Sequence, residues 1–514
     1  MIRCTAILPA LVLAILLVER AEAQLKAPEE LFFAKIPAEM KNLVEQMYVA
    51  PTPAQQAAAV AKLAETGEAA VPVLPYLIRI LGEPIDPAVR QAVVDGLVKI
   101  GKPAVQLAIG GLKSSNPAAR QSAIEVLGQL ADKEAIAPVL DAYLNDQAGS
   151  VRDAALGALA KLVVLEPAAL EKLMATAQDK AAKPEIRGRA IKVIGRLAGP
   201  AVPVDALVAI LQDAEEDIRM RCAAADALGR NKSPAAVAPL VAALADKSAS
   251  MRVWAAVALN GASDPNAIAA LVKAIGDEDE RVRVRAADAL ASVQDAKVIE
   301  PLTKALADAN AEVRAWAAAG LGNFSDPRVV KSLGDALRDA DVGVRVRAAD
   351  SLGRIHLPEA TPLLVQTVGS VTEDSQVRCA AARALGGLRD SRAVPTLIGL
   401  VRDNDPALRQ WVVAALGRIG DARAVEPLIG AVEDSEAKVR AWAVLALSRF
   451  RDPRIIEPLV KAAKDADPQV RARAVLAMRV AINDPRVKAA IQAAAEDSDP
   501  MVQEKARQAL GKAG

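Results

Sequence analysis

Few side chains in this sequence are of the types that catalyse reactions or bind metal ions. The 514 residues include one histidine, His356, and three cysteines, Cys4, Cys222 and Cys379. Metal sites and nucleophilic centres need several such groups close together. The sequence has no metal-ligand cluster, no glycine-rich phosphate loop and no nucleophile with a neighbouring base. It therefore predicts no catalytic residue, no metal and no cofactor.

The tryptophans and a set of arginines show a regular spacing instead. Each of the four tryptophans lies two residues after an arginine that recurs about every 31 residues, and arginine takes the same position in several neighbouring repeats. Indoles and guanidinium groups stack by cation–π contact and often supply most of the binding energy of an interface. We name this set the Trp/Arg row and predict that it binds a partner. Its members are Trp254, Arg285, Trp316, Arg347, Trp411, Trp442 and Arg473.

An alternative interpretation of the row is structural. The indoles would then fill gaps between alanine-rich helices, and the arginines would be solvated. Asp288 and Asp350 lie three residues after Arg285 and Arg347. Residues at this spacing are neighbours on a helix, so we expect two ion pairs, each within a single helix.

A phrase of about eleven residues recurs along the chain and explains the spacing of the row. Two copies are VRAWAAAGLGN (313–323) and VRAWAVLALSR (439–449). Apolar residues stand one before, three after and seven after the arginine, within about 80° of one another on a helix. The phrase therefore predicts an amphipathic helix with one buried stripe. The repeat arginines are Arg90, Arg120, Arg152, Arg187, Arg221, Arg252, Arg283, Arg314, Arg345, Arg378, Arg409, Arg440 and Arg471, and Gln503 takes this position in a last copy.

Another helix precedes the phrase in each repeat. Asp452 and Pro453 are suited to cap and begin such a helix, and Asp405-Pro406 separates the two helices of its repeat. Each repeat is therefore predicted to be a helical hairpin, with the phrase as its second helix. A single hairpin cannot cover its own apolar face, so about 14 hairpins should stack into one continuous core.

An acidic residue in the turn accompanies most repeat arginines. Aspartate stands six residues before the repeat position, as Asp308 does before Arg314 and Asp339 before Arg345. Each arginine can bond turn carbonyls and the aspartate of its own or the next repeat through charge-assisted hydrogen bonds. We predict a structural ladder that ties the hairpins together.

The first residues carry the features of an export signal. A basic start is followed by an apolar run over residues 6–18, which is too short to span a bilayer, and by Ala21-Glu22-Ala23, which has the form of a cleavage site. We interpret 1–23 as a signal peptide, 24–51 as an N-terminal cap, 52–481 as the repeat array and 482–514 as a C-terminal capping repeat. The mature chain is predicted to be exported, periplasmic or secreted, with no membrane span.

The repeats resemble HEAT repeats of the short kind found in phycobilisome-lyase-like proteins, over roughly residues 52–513. The resemblance rests on the turn aspartate, the repeat arginine and a proline 13 residues before it, as at Pro301 and Pro458. It implies an all-α fold, a right-handed superhelical α-solenoid whose second helices line a concave face. Deoxyhypusine hydroxylase has similar repeats but binds iron through repeated His-Glu pairs. That activity is excluded because the only histidine, His356, is followed by Leu357.

The resemblance and the Trp/Arg row favour a non-catalytic scaffold that binds another protein on its concave face. Lys and Arg number 64 against 63 Asp and Glu, and a net charge of +1 provides no global field to attract nucleic acid. The sequence leaves the identity of the protein partner open. Two alternatives are a phycobilin-lyase-like enzyme, since those lyases share the repeat, and a glycan-binding envelope module, since indole faces can stack on sugar rings.

Overall fold

The computed structural model describes residues 36–162, 167–197 and 203–511. Within these ranges it contains helices, turns and loops and no β-strand. The predicted signal peptide, 1–23, lies outside the described residues. The chain divides into two compact units, Met1–Pro239 and Leu240–Gly514, which we call the N-terminal unit and the C-terminal unit.

The α-helices of the N-terminal unit are α1 Ala38–Val49, α2 Pro53–Glu65, α3 Leu74–Ile80, α4 Pro87–Ile100, α5 Ala104–Gly111, α6 Pro117–Leu130, α7 Ile136–Asn145, α8 Gly149–Leu162, α9 Pro167–Gln178, α10 Pro184–Ile194, α11 Val204–Gln212 and α12 Ile218–Asn231. Helix α13, Pro234–Ala243, carries the chain into the C-terminal unit. The helices there are α14 Ala249–Ala258, α15 Pro265–Ala274, α16 Glu280–Ala291, α17 Ile299–Ala305, α18 Ala311–Leu321, α19 Pro327–Ala336, α20 Val342–Arg354, α21 Ala360–Gly369, α22 Ser375–Leu388, α23 Val394–Gly399, α24 Pro406–Ile419, α25 Val425–Ala431, α26 Ala437–Leu447, α27 Ile456–Ala462, α28 Pro468–Met478, α29 Pro485–Ala494 and α30 Pro500–Ala509.

Aspartate and proline set where many of these helices begin. Asp264, Asp326 and Asp484 each accept a hydrogen bond from a backbone N–H at the start of a first helix, with proline as the first helical residue. Asp405 does the same at the start of the second helix α24. Proline costs no hydrogen bond at this position, because the N–H that it lacks would have no partner within the helix. The predicted start at Asp405-Pro406 is confirmed, whereas Asp452 and Pro453 begin a 3₁₀ turn, Pro453–Ile455, and the α-helix follows at Ile456.

Helix α18 shows how a second helix meets the core. Val313, Ala317 and Leu321 are fully buried, and these are the residues one before, three after and seven after the repeat arginine. Their burial against neighbouring helices provides the hydrophobic free energy that an isolated hairpin lacks. The predicted apolar stripe is confirmed.

Second helices pack on second helices within each unit. In the C-terminal unit the even-numbered helices α14 to α30 form one such series, and each packs on the next. In the N-terminal unit α2, α4, α6, α8, α10 and α12 do the same. The second helices α4 to α12 and α14 to α30 carry the repeat position fourteen times, as the sequence predicts. The all-α solenoid is thereby confirmed. No helix in the described part of the chain is long and apolar enough to cross a bilayer.

Candidate functional site

The repeat arginines connect successive hairpins through two kinds of acceptor. The Nε and Nη2 atoms of Arg314 donate to the two carboxylate oxygens of Asp339, each at 2.7 Å. Its Nη1 donates to the carbonyl oxygens of Asp308 at 2.9 Å and Ala309 at 3.1 Å. The arginine therefore bonds the carbonyls of its own turn and the aspartate of the next repeat, which resolves the choice that the sequence left open.

Pairs between a repeat arginine and the aspartate of the next repeat recur along both units and form the predicted ladder. The bond from Arg314 lowers the pKa of Asp339 below its ordinary value, against the opposing effect of desolvation. The partners are therefore held as a charged pair near neutral pH. The other pairs are Arg120–Asp146, Arg252–Asp277, Arg283–Asp308, Arg378–Asp403, Arg409–Asp434, Arg440–Asp465 and Arg471–Asp497.

Glutamate replaces the aspartate at two places that the sequence reasoning missed. Arg187 pairs with Glu216 at 2.6 Å, and Arg345 pairs with Glu373 at 3.0 Å. Both glutamates stand five residues, not six, before the next repeat arginine, in repeats whose steps are 34 and 33 residues. The sequence signal for these two pairs is a longer turn, with a glutamate one residue closer to the next repeat arginine than the usual aspartate.

The Trp/Arg row lies on second helices of the C-terminal unit. The guanidinium carbon of Arg347 lies 4.3 Å from the ring centre of Trp316, and that of Arg473 lies 5.2 Å from the ring centre of Trp442. Trp254 is 39% exposed, and the other row members are half-buried or exposed. The expected cation–π stacking is confirmed for these two pairs, whereas binding of a partner by the row stays a prediction.

Of the two ion pairs predicted within single helices, the pair of Arg285 with Asp288 is present, and the prediction for Arg347 with Asp350 is wrong. Arg285 lies 4.0 Å from Asp288 on the same helix. Asp350 instead accepts from Arg383 of the next repeat at 2.6 Å. Arg383 donates to it through both Nε and Nη2, and this two-pronged geometry is better than a contact within one helix can offer. Arg347 is left to stack on the indole.

Arg383 is a member of this face that the sequence reasoning missed. Its guanidinium carbon lies 5.2 Å from the ring centre of Trp411. It stands five residues after its repeat arginine, whereas Ala380 occupies the position that defines the row. An arginine one helical turn beyond the missing row member was the available signal, because residues three apart share a helix face.

These side chains surround an open cavity of about 670 Å³ in the C-terminal unit. Helices α16, α18, α20, α22 and α24 line it, with Trp316 beside arginines and the aspartates 288 and 350. Glycine and alanine form part of the lining, so a ligand can approach the helix backbones closely. The lining arginines are Arg347, Arg354, Arg383 and Arg418.

The remaining candidates for chemistry do not assemble into a site. His356 is exposed in a loop, Cys222 is buried, and burial raises the pKa of the Cys379 thiol, which makes the thiolate scarce. Cys4 lies outside the described residues. Among the residues that the structure describes, no three His, Cys, Asp or Glu side chains are grouped so as to hold a metal ion.

Comparison with protein families gives a match over most of the chain. The family model for HEAT repeats matches residues 105–183, 170–260, 238–310, 299–371, 368–448 and 425–511. Among curated proteins, the chain is 38% identical over 104 residues to phycocyanobilin lyase subunit beta of Thermosynechococcus vestitus, a segment that covers 20% of this chain and 47% of the relative. The chain thus spans about half the length of this curated relative.

Two solved structures are among the matches to this chain. A mutant of Kap121p is 14% identical, with a TM-score of 0.47, over 87% of this chain and 53% of that chain. The complex of CpcE and CpcF of phycocyanin lyase from Nostoc sp. PCC7120 is 26% identical, with a TM-score of 0.30, over 41% of this chain and 86% of that chain.

Proposed function

The chain belongs to the HEAT-repeat family, and from this premise we propose that it is a non-catalytic scaffold that binds another protein. The binding surface is the second-helix face of the C-terminal unit, with the Trp/Arg row along it. A long array of this kind spreads contacts over several repeats, and a few anchoring side chains supply most of the affinity.

The observation that carries this proposal is the half-exposed stack of Trp316 and Arg347 at the open cavity, with a ring-to-guanidinium distance of 4.3 Å. Tryptophan and arginine are enriched where proteins bind one another. An arginine also covers one face of Trp411 and one face of Trp442. Coverage of these faces favours a protein partner over a glycan, because sugar rings stack on bare indole faces.

The place where the scaffold acts is the second part of the proposal. Residues 1–23 have the composition of an export signal, so we place the mature protein outside the cytoplasm. The partner should then be a protein of the envelope or of the secreted fraction. Sequencing of the mature N-terminus tests this, since removal of 1–23 leaves Gln24 as the first residue.

Substituting alanine at both Trp316 and Trp442 tests the binding surface. We expect the amount of partner protein captured from the envelope or secreted fraction by cross-linking to fall at least about tenfold, as for loss of hot-spot residues. The partner is identified by mass spectrometry of what the wild-type chain captures. Circular dichroism then establishes that the double variant is still helical.

Val371→Ala is the matched control for this experiment. Val371 is 85% exposed and lies in a turn, so its removal takes away exposed apolar surface without touching the row. Capture should be unchanged by this substitution. If the tryptophan variant melts at a lower temperature but captures as much partner as the wild type, the indoles are packing residues and the proposed surface is wrong.

A second candidate function is that of a phycobilin-lyase-like protein. The observation that favours it is the 38% identity to the lyase subunit over 104 residues. Bilins carry two propionate carboxylates, and the arginines that line the cavity could pair with them. On this hypothesis the cavity would hold a tetrapyrrole instead of part of a protein.

A titration of phycocyanobilin with the purified chain separates the two functions. The scaffold proposal expects no saturable change in the absorption spectrum of the bilin. A saturable change with one bilin per chain, weakened when Arg347 is replaced by glutamine, would favour the lyase-like function and count against the scaffold.

A further inference from the structure

Several positive charges in the cavity lack a balancing carboxylate. Arg383 is neutralised by Asp350 at 2.6 Å. Arg354 donates only to neutral acceptors, among them the carbonyl oxygen of Ala319 at 2.8 Å. Among the described residues, neither Arg347 nor Arg418 has a carboxylate at ion-pair distance. The cavity therefore presents three guanidinium groups with no carboxylate at ion-pair distance beside an indole, with Asp288 close enough to interact with the charge of Arg347.

The same face becomes apolar towards the C-terminal end. Leu445 and Leu476 occupy the repeat position that holds Asp350 and Arg383 in the cavity, five residues after the repeat arginine. Each leucine is 37% exposed. The adjacent Trp442 is half-buried. The face thus has a cationic part on α16 to α24 and a more apolar part on α26 and α28, where Arg473 is half-buried against Trp442.

The length of this face indicates the size of its ligand. The two parts together extend over seven successive second helices, α16 to α28. At roughly 9 Å between neighbouring helix axes, six spacings extend over about 54 Å. An extended peptide at about 3.3 Å per residue needs roughly 16 residues to span this distance. A small molecule would occupy only a fraction of the face.

From this charge pattern we infer that the face binds an extended segment of the partner protein with acidic residues in one half and apolar residues in the other. Carboxylates of the segment pair with Arg347 and Arg418, and its apolar side chains contact Trp442, Leu445 and Leu476. The inference rests on the proposed function, whose surface it shares. A nucleic acid fits less well, because Asp288 and Asp350 interrupt the cationic part and Leu445 and Leu476 are exposed where a nucleic acid would present phosphates.

Fluorescence anisotropy with a labelled 16-residue peptide tests the inference on the full chain. The probe has eight residues of alternating Glu and Gly followed by eight of alternating Leu and Ser. We expect it to bind at least about tenfold more tightly than the same peptide with Lys in place of Glu. Replacing both Arg347 and Arg418 by glutamine should weaken binding of the acidic probe at least about tenfold, because two charge-assisted contacts are lost.

The control for charge removes two arginines elsewhere in the same unit. Arg328 and Arg486 lie at the starts of first helices, and their side chains are 80% and 57% exposed. Their joint replacement by glutamine should leave the affinity for the acidic probe within about twofold, as expected for exposed charges away from the contact. Circular dichroism of both double variants establishes that they are folded.

Three results would overturn the inference: equal affinity for the Glu and Lys peptides, unchanged affinity in the Arg347 and Arg418 variant, or equally tight binding of a 16-nucleotide oligothymidine. Each is distinguishable from failure of the scaffold proposal. If partner capture still depends on Trp316 and Trp442 while the peptide results are negative, the scaffold stands and only the acidic, extended character of the ligand is wrong.

Discussion

Replacing Arg314 by alanine is expected to lower the free energy of unfolding of the C-terminal unit by about 3 kcal/mol, in the range for breaking one partner out of a buried ion pair. The Arg314 and Asp339 side chains are 15% and 12% exposed. Removal of the guanidinium leaves the Asp339 carboxylate largely desolvated and the carbonyls of Asp308 and Ala309 without this donor. The cost is mainly that of the groups left behind.

The damage should be local. In a repeat array each hairpin contacts only its neighbours, so the loss is concentrated where α18 meets α20. Amide hydrogen exchange should therefore quicken around residues 308–345 and stay close to wild type in α28 and α30. Urea denaturation followed by circular dichroism measures the total loss of stability.

A second substitution tests the mechanism. Asp339→Asn in the Arg314→Ala background removes the uncompensated charge, so the double variant should be more stable than the sum of the two single losses predicts. Arg328→Ala is the control, because its pair with Asp326 lies at the surface and should contribute less than about 1 kcal/mol. If the Arg314→Ala variant has the same midpoint of urea unfolding as the wild type, the ladder does not have the structural role assigned to it.

The sequence was sufficient for the hairpin, its caps and its apolar stripe because these follow from the residue types and their spacing within one repeat. Asp326 and Pro327 specify a helix start without reference to the rest of the chain. The sequence could not identify the acceptor of each repeat arginine. The aspartate six residues before the arginine and the aspartate 25 residues after it are equally plausible partners. Only the stacking of Arg314 against the next hairpin selects Asp339.

The sequence predicted the members of the candidate face that share a repeat position, but not the contacts between side chains of neighbouring repeats. Trp316 and Arg347 could be assigned to one row because they share a repeat position. The partner of Asp350 could not be predicted from the sequence, since it depends on which arginine of the neighbouring helix reaches the carboxylate with both Nε and Nη2. The side-chain geometry between repeats, and not the period itself, determines which charges remain free in the cavity.

Second helices also approach one another through glycines that recur in the repeat phrase. A Cβ atom added to Gly417 on α24 would lie 2.7 Å from the Cα of Ala446 on α26. Similar additions at Gly353 and Gly386 would lie 2.8 Å from the Cα atoms of Ala384 and Ala415. A backbone atom cannot move aside as a side chain can, so any larger residue must push the two helices apart.

Gly417→Ala is therefore expected to destabilise the C-terminal unit by about 2 kcal/mol, as overpacking of a closely packed contact does. This loss exceeds the gain of up to about 1 kcal/mol that alanine brings to a helix. Gly430→Ala on α25 is the matched control: a Cβ atom there meets nothing within 4 Å, so stability should be unchanged or slightly higher. Urea denaturation of both variants separates packing from helix propensity. If the two substitutions shift the midpoint equally, close helix approach does not limit this position, because propensity would then account for both results.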